Sequence, residues 1–285
     1  MQRIKLAIQK KGRLSEKSIQ LINECDISFP NSSGKLTTAC YDFPMDILFL
    51  RDDDIPGYVE DGVADIGIVG ENVLAELGSQ VDNRLDMGFG KCRLSLAIPK
   101  NDAYDGVQSF HGKSIATSYP NILNNYLSKN NVTADIHEIS GSVEIAPSIG
   151  LASAICDIVS TGSTLLSNGL KEVETVFKSQ AVLIANKNLS IEKNQILEQL
   201  IFRFVAVQKA KNNKYILLNA PNECVDKIVA ILPGMNSPTV LPLAKSGWSS
   251  VHSVITVKDF WTIIQQLKDV GAEGILVTPI EKLIY

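Results

Sequence analysis

What this 285-residue chain lacks narrows its chemistry. The five cysteines, Cys25, Cys40, Cys92, Cys156 and Cys224, are odd in number and widely spaced. No Cys-x-x-Cys pair occurs, so neither a disulfide framework nor a zinc site is supported. Reduced thiols are expected, with Cys156 buried. The three histidines, His111, His137 and His252, show no ligand spacing to one another or to cysteine. There is no Gly-x-Ser-x-Gly elbow and no Cys–His signature, so covalent catalysis has no support. A Walker A loop is also missing, which argues against a P-loop kinase. Net charge is −4 and no basic run stands out, so a dedicated nucleic-acid binder is not indicated. No stretch approaches the roughly 18 uninterrupted apolar residues of a membrane span. The start, Met1-Gln2-Arg3-Ile4-Lys5, is too short and too interrupted for an export signal. The expectation is a cytoplasmic protein with neither membrane nor nucleic-acid partners.

What is present is a globular composition, 45% hydrophobic and 20% charged, in a chain long enough for two or three domains. The most informative stretch is Glu144–Leu165. An apolar run, Ala154-Ile155-Cys156, leads through Asp157-Ile158-Val159 into Ser160-Thr161-Gly162-Ser163-Thr164. Leu165-Leu166 then resumes a helical pattern. A buried strand ending in a small polar turn that opens a helix leaves backbone N–H groups pointing outward, which favours anions. Gly162 permits close approach, and the hydroxyls of the turn can donate as well. The same pattern is also that of an ordinary strand–turn–helix with Ser and Thr as caps. Asp157 would repel a phosphate, so it suits sugar hydroxyls or a metal better.

Other strand ends repeat the layout. Residues 3–8 read as a strand, followed by the basic glycine turn Lys10-Lys11-Gly12-Arg13. Ser15 is the expected cap of a helix running to about Glu24. This turn is either solvated or phosphate-binding. Ile47–Leu50 reads as a strand ending at Arg51, whose position allows bidentate contact with a pyrophosphate. The Asp52-Asp53-Asp54 triplet opens a helix with Pro56 in its first turn. Capping leads over a metal cluster there, because adjacent helical residues do not face one site. Asp65–Gly70 is a further apolar strand with a glycine exit, and Asn72 to Leu77 a helix. Phe89–Ile98 reads as a strand crossing between lobes.

Strands alternating with helices predict parallel α/β architecture with ligands at the carboxyl edges of the sheets. The expected division is a first lobe, 1–93, with a return segment, 181–208, and a second lobe, 94–180. The polar stretch Lys209–Lys214 reads as a linker. Residues 211–285 follow a β-α-β-β-α-β order, the ferredoxin-like pattern, with a turn over Pro233–Pro238.

The central stretch resembles the signature of ATP phosphoribosyltransferase in its long form. The pattern is Glu144, then Gly150 six positions on, then Asp157, then Thr161-Gly162-x-Thr164-Leu165. The resemblance extends through Gln9–Leu14, Arg51–Pro56, Gly67–Asn72, Cys92–Ser95, Ile115–Pro120 and Ser237–Leu243. It implies a two-lobed periplasmic-binding-protein-like catalytic part and an ACT-like regulatory domain. It also implies transfer of the phosphoribosyl group of phosphoribosyl pyrophosphate to N1 of ATP adenine, with Mg2+ held mainly by pyrophosphate oxygens. Under it, Asp157, Ser160, Thr161, Gly162, Ser163 and Thr164 bind phosphoribosyl pyrophosphate. Lys10, Gly12, Arg13, Arg51 and Asp65 face ATP. Arg51, Asp157 and Glu144 are the catalytic candidates. Histidine, as feedback inhibitor, would sit near Thr239 and Gly274 between neighbouring subunits of a homo-oligomer, dimer to hexamer. The rival readings are a non-catalytic anion receptor and a catalytically silent subunit of a transferase complex.

Overall fold

The computed structural model describes residues 2–30, 35–232, 234 and 237–284. The chain divides into two compact units, Met1–Glu198 and Gln199–Tyr285. Two sheets form the first unit. The first lobe is built from β1 (Ile4–Gln9), α1 (Arg13–Glu24), β2 (Thr37–Ala39), β3 (Met45–Leu50), α2 (Ile55–Glu60), β4 (Ile66–Gly70), α3 (Glu71–Leu77) and β5 (Asp82–Asp86). The second lobe contains β6 (Cys92–Pro99), β7 (Ser114–Thr117), α4 (Pro120–Lys129), β8 (Asp135–Glu138), β9 (Ala154–Val159), α5 (Ser163–Ser167) and β10 (Leu170–Ser179). The chain then returns as β11 (Ala181–Ala185) and α6 (Ile191–Lys211).

The sheet orders are β2-β3-β1-β4-β11-β5 and β10-β6-β9-β7-β8. Without the edge strand β2, the two are one pattern. A parallel trio, β3-β1-β4 or β8-β7-β9, is followed by an antiparallel guest, β11 or β6, and then by the lobe's last strand. Each guest enters directly after the chain has crossed between lobes, at residues 87–91 and again at Gln180. This is the two-lobed periplasmic-binding-protein arrangement. The sheets are therefore mixed, where alternating elements predict parallel ones. The guests are the reason: each crossing delivers a strand to the other lobe in the opposite sense. The predicted crossing strand Phe89–Ile98 divides accordingly into the end of the crossing segment, before residue 92, and β6.

Burial explains the strand calls that composition makes easy. Ile4, Leu6, Ala7 and Ile8 of β1 are fully buried, as are Ile66 and Ile68 of β4. Strands covered on both faces carry near-continuous apolar runs. The cap of α1 is a correction. Gly12, at φ 99°, precedes the helix, and its carbonyl accepts the Glu16 N–H at 3.1 Å. Ser15 lies inside the first turn and is buried.

The second unit contains β12 (Asn213–Pro221), α7 (Val225–Ile231), β13 (Thr239–Pro242), β14 (Trp248–Thr256), α8 (Phe260–Asp269) and β15 (Glu273–Pro279). Their sheet order, β13-β14-β12-β15, is antiparallel throughout. The predicted ferredoxin-like order holds. Its core joins Ile216, Leu218 and Val251 of the sheet to Ile228 and Leu267 of the helices. The predicted linker at Lys209–Lys214 is not a linker: α6 runs to Lys211 and β12 starts at Asn213. Of the predicted turn over Pro233–Pro238, residues 233, 235 and 236 lie outside the described residues. Among the described residues no helix is long and apolar enough to cross a membrane.

Candidate active site

The carboxyl ends of the parallel trios carry most of the residues singled out by sequence. After β1 comes the Lys10–Arg13 turn, and after β3 comes Arg51. The Lys10 N–H donates to the Leu50 carbonyl at 2.8 Å, so the two basic exits lie side by side. Lys10, Arg13 and Arg51 are exposed and form no ion pair among the described residues. The Asp52–Asp54 triplet forms a short 3-10 turn leading into α2, with Pro56 at the helix start. Burial raises the Asp53 carboxyl, its two acidic neighbours raise it further, and the Arg51 charge opposes them. Among the described residues no group of three or more His, Cys, Asp or Glu could hold a metal ion.

In the second lobe, β9 ends at Val159 and the hydroxyl turn follows. Gly162 stands at φ 81° immediately before α5, a conformation in which a side chain costs about 1–2 kcal/mol. Thr161 Oγ1 and Ser163 Oγ lie 3.0 Å apart across it. Because α5 has only five residues, its dipole is small, and the polar groups offered here are chiefly the turn's own N–H and O–H groups. Asp157 is half-buried three residues earlier than Ser160. Desolvation raises its carboxyl above the ordinary range, the Ile158 N–H opposes this at 2.7 Å, and the Glu144 charge adds to the rise. Asp157 and Glu144 therefore lie close enough to feel each other. Glu144 sits in a 3-10 turn, Val143–Ile145, opened by Ser142 in the left-handed region at φ 50°.

Sequence reasoning missed the contacts that join the lobes. Asn72, at the start of α3, donates to the Tyr119 hydroxyl at 3.2 Å, and its side-chain oxygen accepts from Ser179 Oγ at 2.8 Å. Burial raises the Tyr119 phenol, with Asp157 the next cause and Asp52 and Asp53 adding more. Tyr119 thus reports electrostatically on both lobes. Glu76 of α3 accepts the N–H groups of Asn121 and Ile122 at 2.8 and 3.0 Å, capping α4 of the opposite lobe. A cavity of about 720 Å3 beside these contacts is lined by Asp52, Asp53, Glu76, Tyr119, Asn121 and Glu138. On the crossing strands, Arg93 makes a bidentate pair with Glu172, which also accepts from Ser95 Oγ at 2.8 Å. The Arg93 guanidinium reaches the Ser160 carbonyl at 3.4 Å, bracing the hydroxyl turn. A capping carboxylate 45 residues from its helix, or an ion pair 79 apart, leaves no local pattern to find.

Asp65 is a correction. It sits before β4, at the amino edge of the sheet, where its carboxylate accepts the Lys5 N–H at 2.8 Å and pairs with Lys193 at 2.7 Å. A buried carboxylate with both partners in place ties β1 to α6, and it does not share the carboxyl edge with Lys10, Gly12, Arg13 and Arg51. In the second unit, Thr239 and Gly274 occupy the two edge strands, β13 and β15. Two strands intervene, so the edges are about 14 Å apart at the usual strand spacing.

Comparison with known proteins matches the two-lobed frame. A family model described as "HisG: ATP phosphoribosyltransferase" matches residues 51–206, and one described as "HisG, C-terminal domain" matches residues 210–282. The chain belongs to the ATP phosphoribosyltransferase family. The ATP phosphoribosyltransferase of Cytophaga hutchinsonii is 60% identical over 281 residues, covering 99% of this chain and 98% of its own. That of Bacteroides thetaiotaomicron is 56% identical over 281 residues, covering 99% of each. A solved chain titled "ATP phosphoribosyl transferase (HisG:HisZ) complex from Thermotoga maritima" superposes with a TM-score of 0.62 at 30% identity, covering 71% of this chain and 96% of its own. The activity is phosphoribosyl transfer to ATP, the first step of histidine biosynthesis, and the receptor and silent-subunit readings are not favoured.

Proposed function

We propose that this ATP phosphoribosyltransferase works by positioning and electrostatics at the carboxyl edges of its two lobes. In the reaction, N1 of the adenine attacks C1 of the ribose, the bond from C1 to the pyrophosphate oxygen breaks, and pyrophosphate leaves with the bonding pair. Positive charge grows on the sugar ring and negative charge on the leaving group, so a protein nucleophile is not needed. Thr161, Gly162, Ser163 and Thr164, with Ser160, cradle the 5-phosphate. Asp157 holds the ribose hydroxyls, and Glu144 orients the ribose beside it. Arg51, with Lys10, Gly12 and Arg13, holds the ATP phosphates and stabilises the departing pyrophosphate. Mg2+ travels with the pyrophosphate, whose oxygens supply most of its ligands.

The observation that carries this reading is the pairing of Asp157 with the left-handed glycine turn at the exit of one strand. Replacing Asp157 with Asn keeps the shape and removes the charge. The KM for phosphoribosyl pyrophosphate should rise at least tenfold, while the melting temperature holds or increases because a desolvated carboxylate is gone. Unchanged kinetics would remove Asp157 from the site.

Histidine inhibition belongs to the second unit in this reading. Thr239 and Gly274 lie on opposite edges of one sheet, so a single pocket using both is most simply made by edges of two copies. That supports a homo-oligomer as the regulated form. Sedimentation with and without histidine, on wild type and Thr239→Val, tests it; inhibition by histidine of a strictly monomeric enzyme would contradict it.

A further inference from the structure

We infer that the hinge carries a polyphosphate subsite held by Lys91 and Lys178. The inference rests on the phosphoribosyl-transfer reading only for the chemistry of the ligand. A pocket of about 360 Å3 opens where the chain crosses between lobes, lined by Glu71, Lys91, Arg93, Ser160, Lys178 and Gln180. Its walls come from both carboxyl edges: Glu71 follows β4 and Ser160 follows β9.

Strand register gathers the cations. Lys178 of β10 is the direct partner of Arg93 in β6, so both side chains leave the same face. Lys91, in the crossing segment just before β6, lines the same pocket as these two residues. Three like charges this close repel one another unless compensated. Compensation is uneven. Glu172 engages Arg93 with both oxygens. The other nearby acid, Glu71, accepts the Gln180 backbone N–H at 3.2 Å. Lys91 and Lys178 are exposed and form no ion pair among the described residues. In a chain of net charge −4, two unpaired lysines on one wall of an interlobe pocket mark a place for an anion.

The position identifies the class. Ser160 lines the pocket and also opens the hydroxyl turn. Arg93 bonds its carbonyl, so an anion in the pocket abuts whatever the turn holds. Two flexible ammonium groups flanking a fixed guanidinium suit the several oxygens of a diphosphate or triphosphate better than one carboxylate. Two reactants carry such a group: phosphoribosyl pyrophosphate in its diphosphate, and ATP in its triphosphate.

The test uses the full-length enzyme, Lys91→Gln, Lys178→Gln and the double variant, with Lys129→Gln as an exposed control on α4. Calorimetry measures binding of inorganic pyrophosphate with Mg2+, and steady-state kinetics measures both KM values. Each single change should weaken pyrophosphate binding about tenfold, the usual worth of a charge-assisted hydrogen bond. The salt dependence of binding should also become shallower, and the control should match wild type. A rise in the KM for phosphoribosyl pyrophosphate alone assigns the pocket to the diphosphate; a rise for ATP alone assigns it to the triphosphate. If Lys178→Gln does not fold, Lys91→Gln carries the test, because Lys91 lies outside the regular strand. Pyrophosphate affinity and both KM values unchanged in a folded variant would overturn the proposal. Turnover by the wild type is scored separately, so loss of the proposal leaves the transferase reading standing.

Discussion

Glu76 supplies the sharpest energetic prediction, because one side chain stitches two lobes. Helix α4 begins with Pro120, which has no N–H to satisfy, and Tyr119 before it offers no side-chain cap. The next two N–H groups, of Asn121 and Ile122, both donate to the Glu76 carboxylate, at 2.8 and 3.0 Å. Asn121 answers by donating its side-chain amide to the Glu76 carbonyl at 3.0 Å. Replacing Glu76 with Ala removes an N-terminal cap, worth about 0.5–2 kcal/mol, and a carboxylate at the positive end of a helix, worth about 0.3–1 kcal/mol. Glu76 is half-exposed, so the charge contribution belongs at the lower end, and the expected loss is about 2 kcal/mol. For a unit of this size each kcal/mol shifts Tm by about 2–4 °C, which predicts a fall of about 4–8 °C. Glu76→Gln keeps one acceptor and should lose about half as much. Thermal melts at fixed pH and concentration read the stability, and hydrogen exchange at Asn121 and Ile122 reads the cap itself. Glu76→Ala melting with wild type, with both amides equally protected, would refute the reasoning.

Two further predictions follow from charge and backbone. The Arg93 hydrogen bonds hold the Glu172 carboxyl below its ordinary value, so the pair's stabilisation is complete above the ordinary carboxylate pKa and is lost as pH falls through the lowered one. Glu172→Gln should therefore flatten the acid limb of a stability–pH curve measured by urea unfolding; a limb that superposes on wild type would contradict this. Gly162→Ala meets no clash, with the Val159 methyl 3.9 Å from the added carbon, but must hold a φ of 81°. It should cost about 1–2 kcal/mol and raise the KM for phosphoribosyl pyrophosphate well above any change for ATP. An unchanged KM would separate this turn from phosphate binding.

The parts of the fold that sequence revealed are those set by local chemistry. The glycine turn at 162, the proline start of α2 and the apolar runs of β1 and β4 each carry their own signal within a few residues. The ferredoxin-like order of the second unit was legible because its strands and helices alternate with clear breaks. The mixed sheets were not legible, because β6 and β11 take their antiparallel sense from the two crossings and from no feature of their own sequence. Strand β5, Asp82-Asn83-Arg84-Leu85-Asp86, is mostly polar because it lies at a sheet edge, and so it reads as loop. The site divides the same way. Lys10, Arg13, Arg51, Asp157 and the hydroxyl turn sit at strand exits, where sequence can point. Asp65 misled because an acid beside an apolar strand has the same local appearance at either end of the sheet. Glu76, Asn72 and the Arg93–Glu172 pair depend on folding distant segments together.

The most direct test of the account mixes purified protein with ATP, phosphoribosyl pyrophosphate and Mg2+, with pyrophosphatase present, and follows phosphoribosyl-ATP by ultraviolet absorbance. The account predicts steady turnover in the wild type and a severe loss in Asp157→Asn that retains the wild-type fold. Folded wild-type protein that forms no phosphoribosyl-ATP, or an Asp157→Asn enzyme that forms it at the wild-type rate at low phosphoribosyl pyrophosphate, would contradict it.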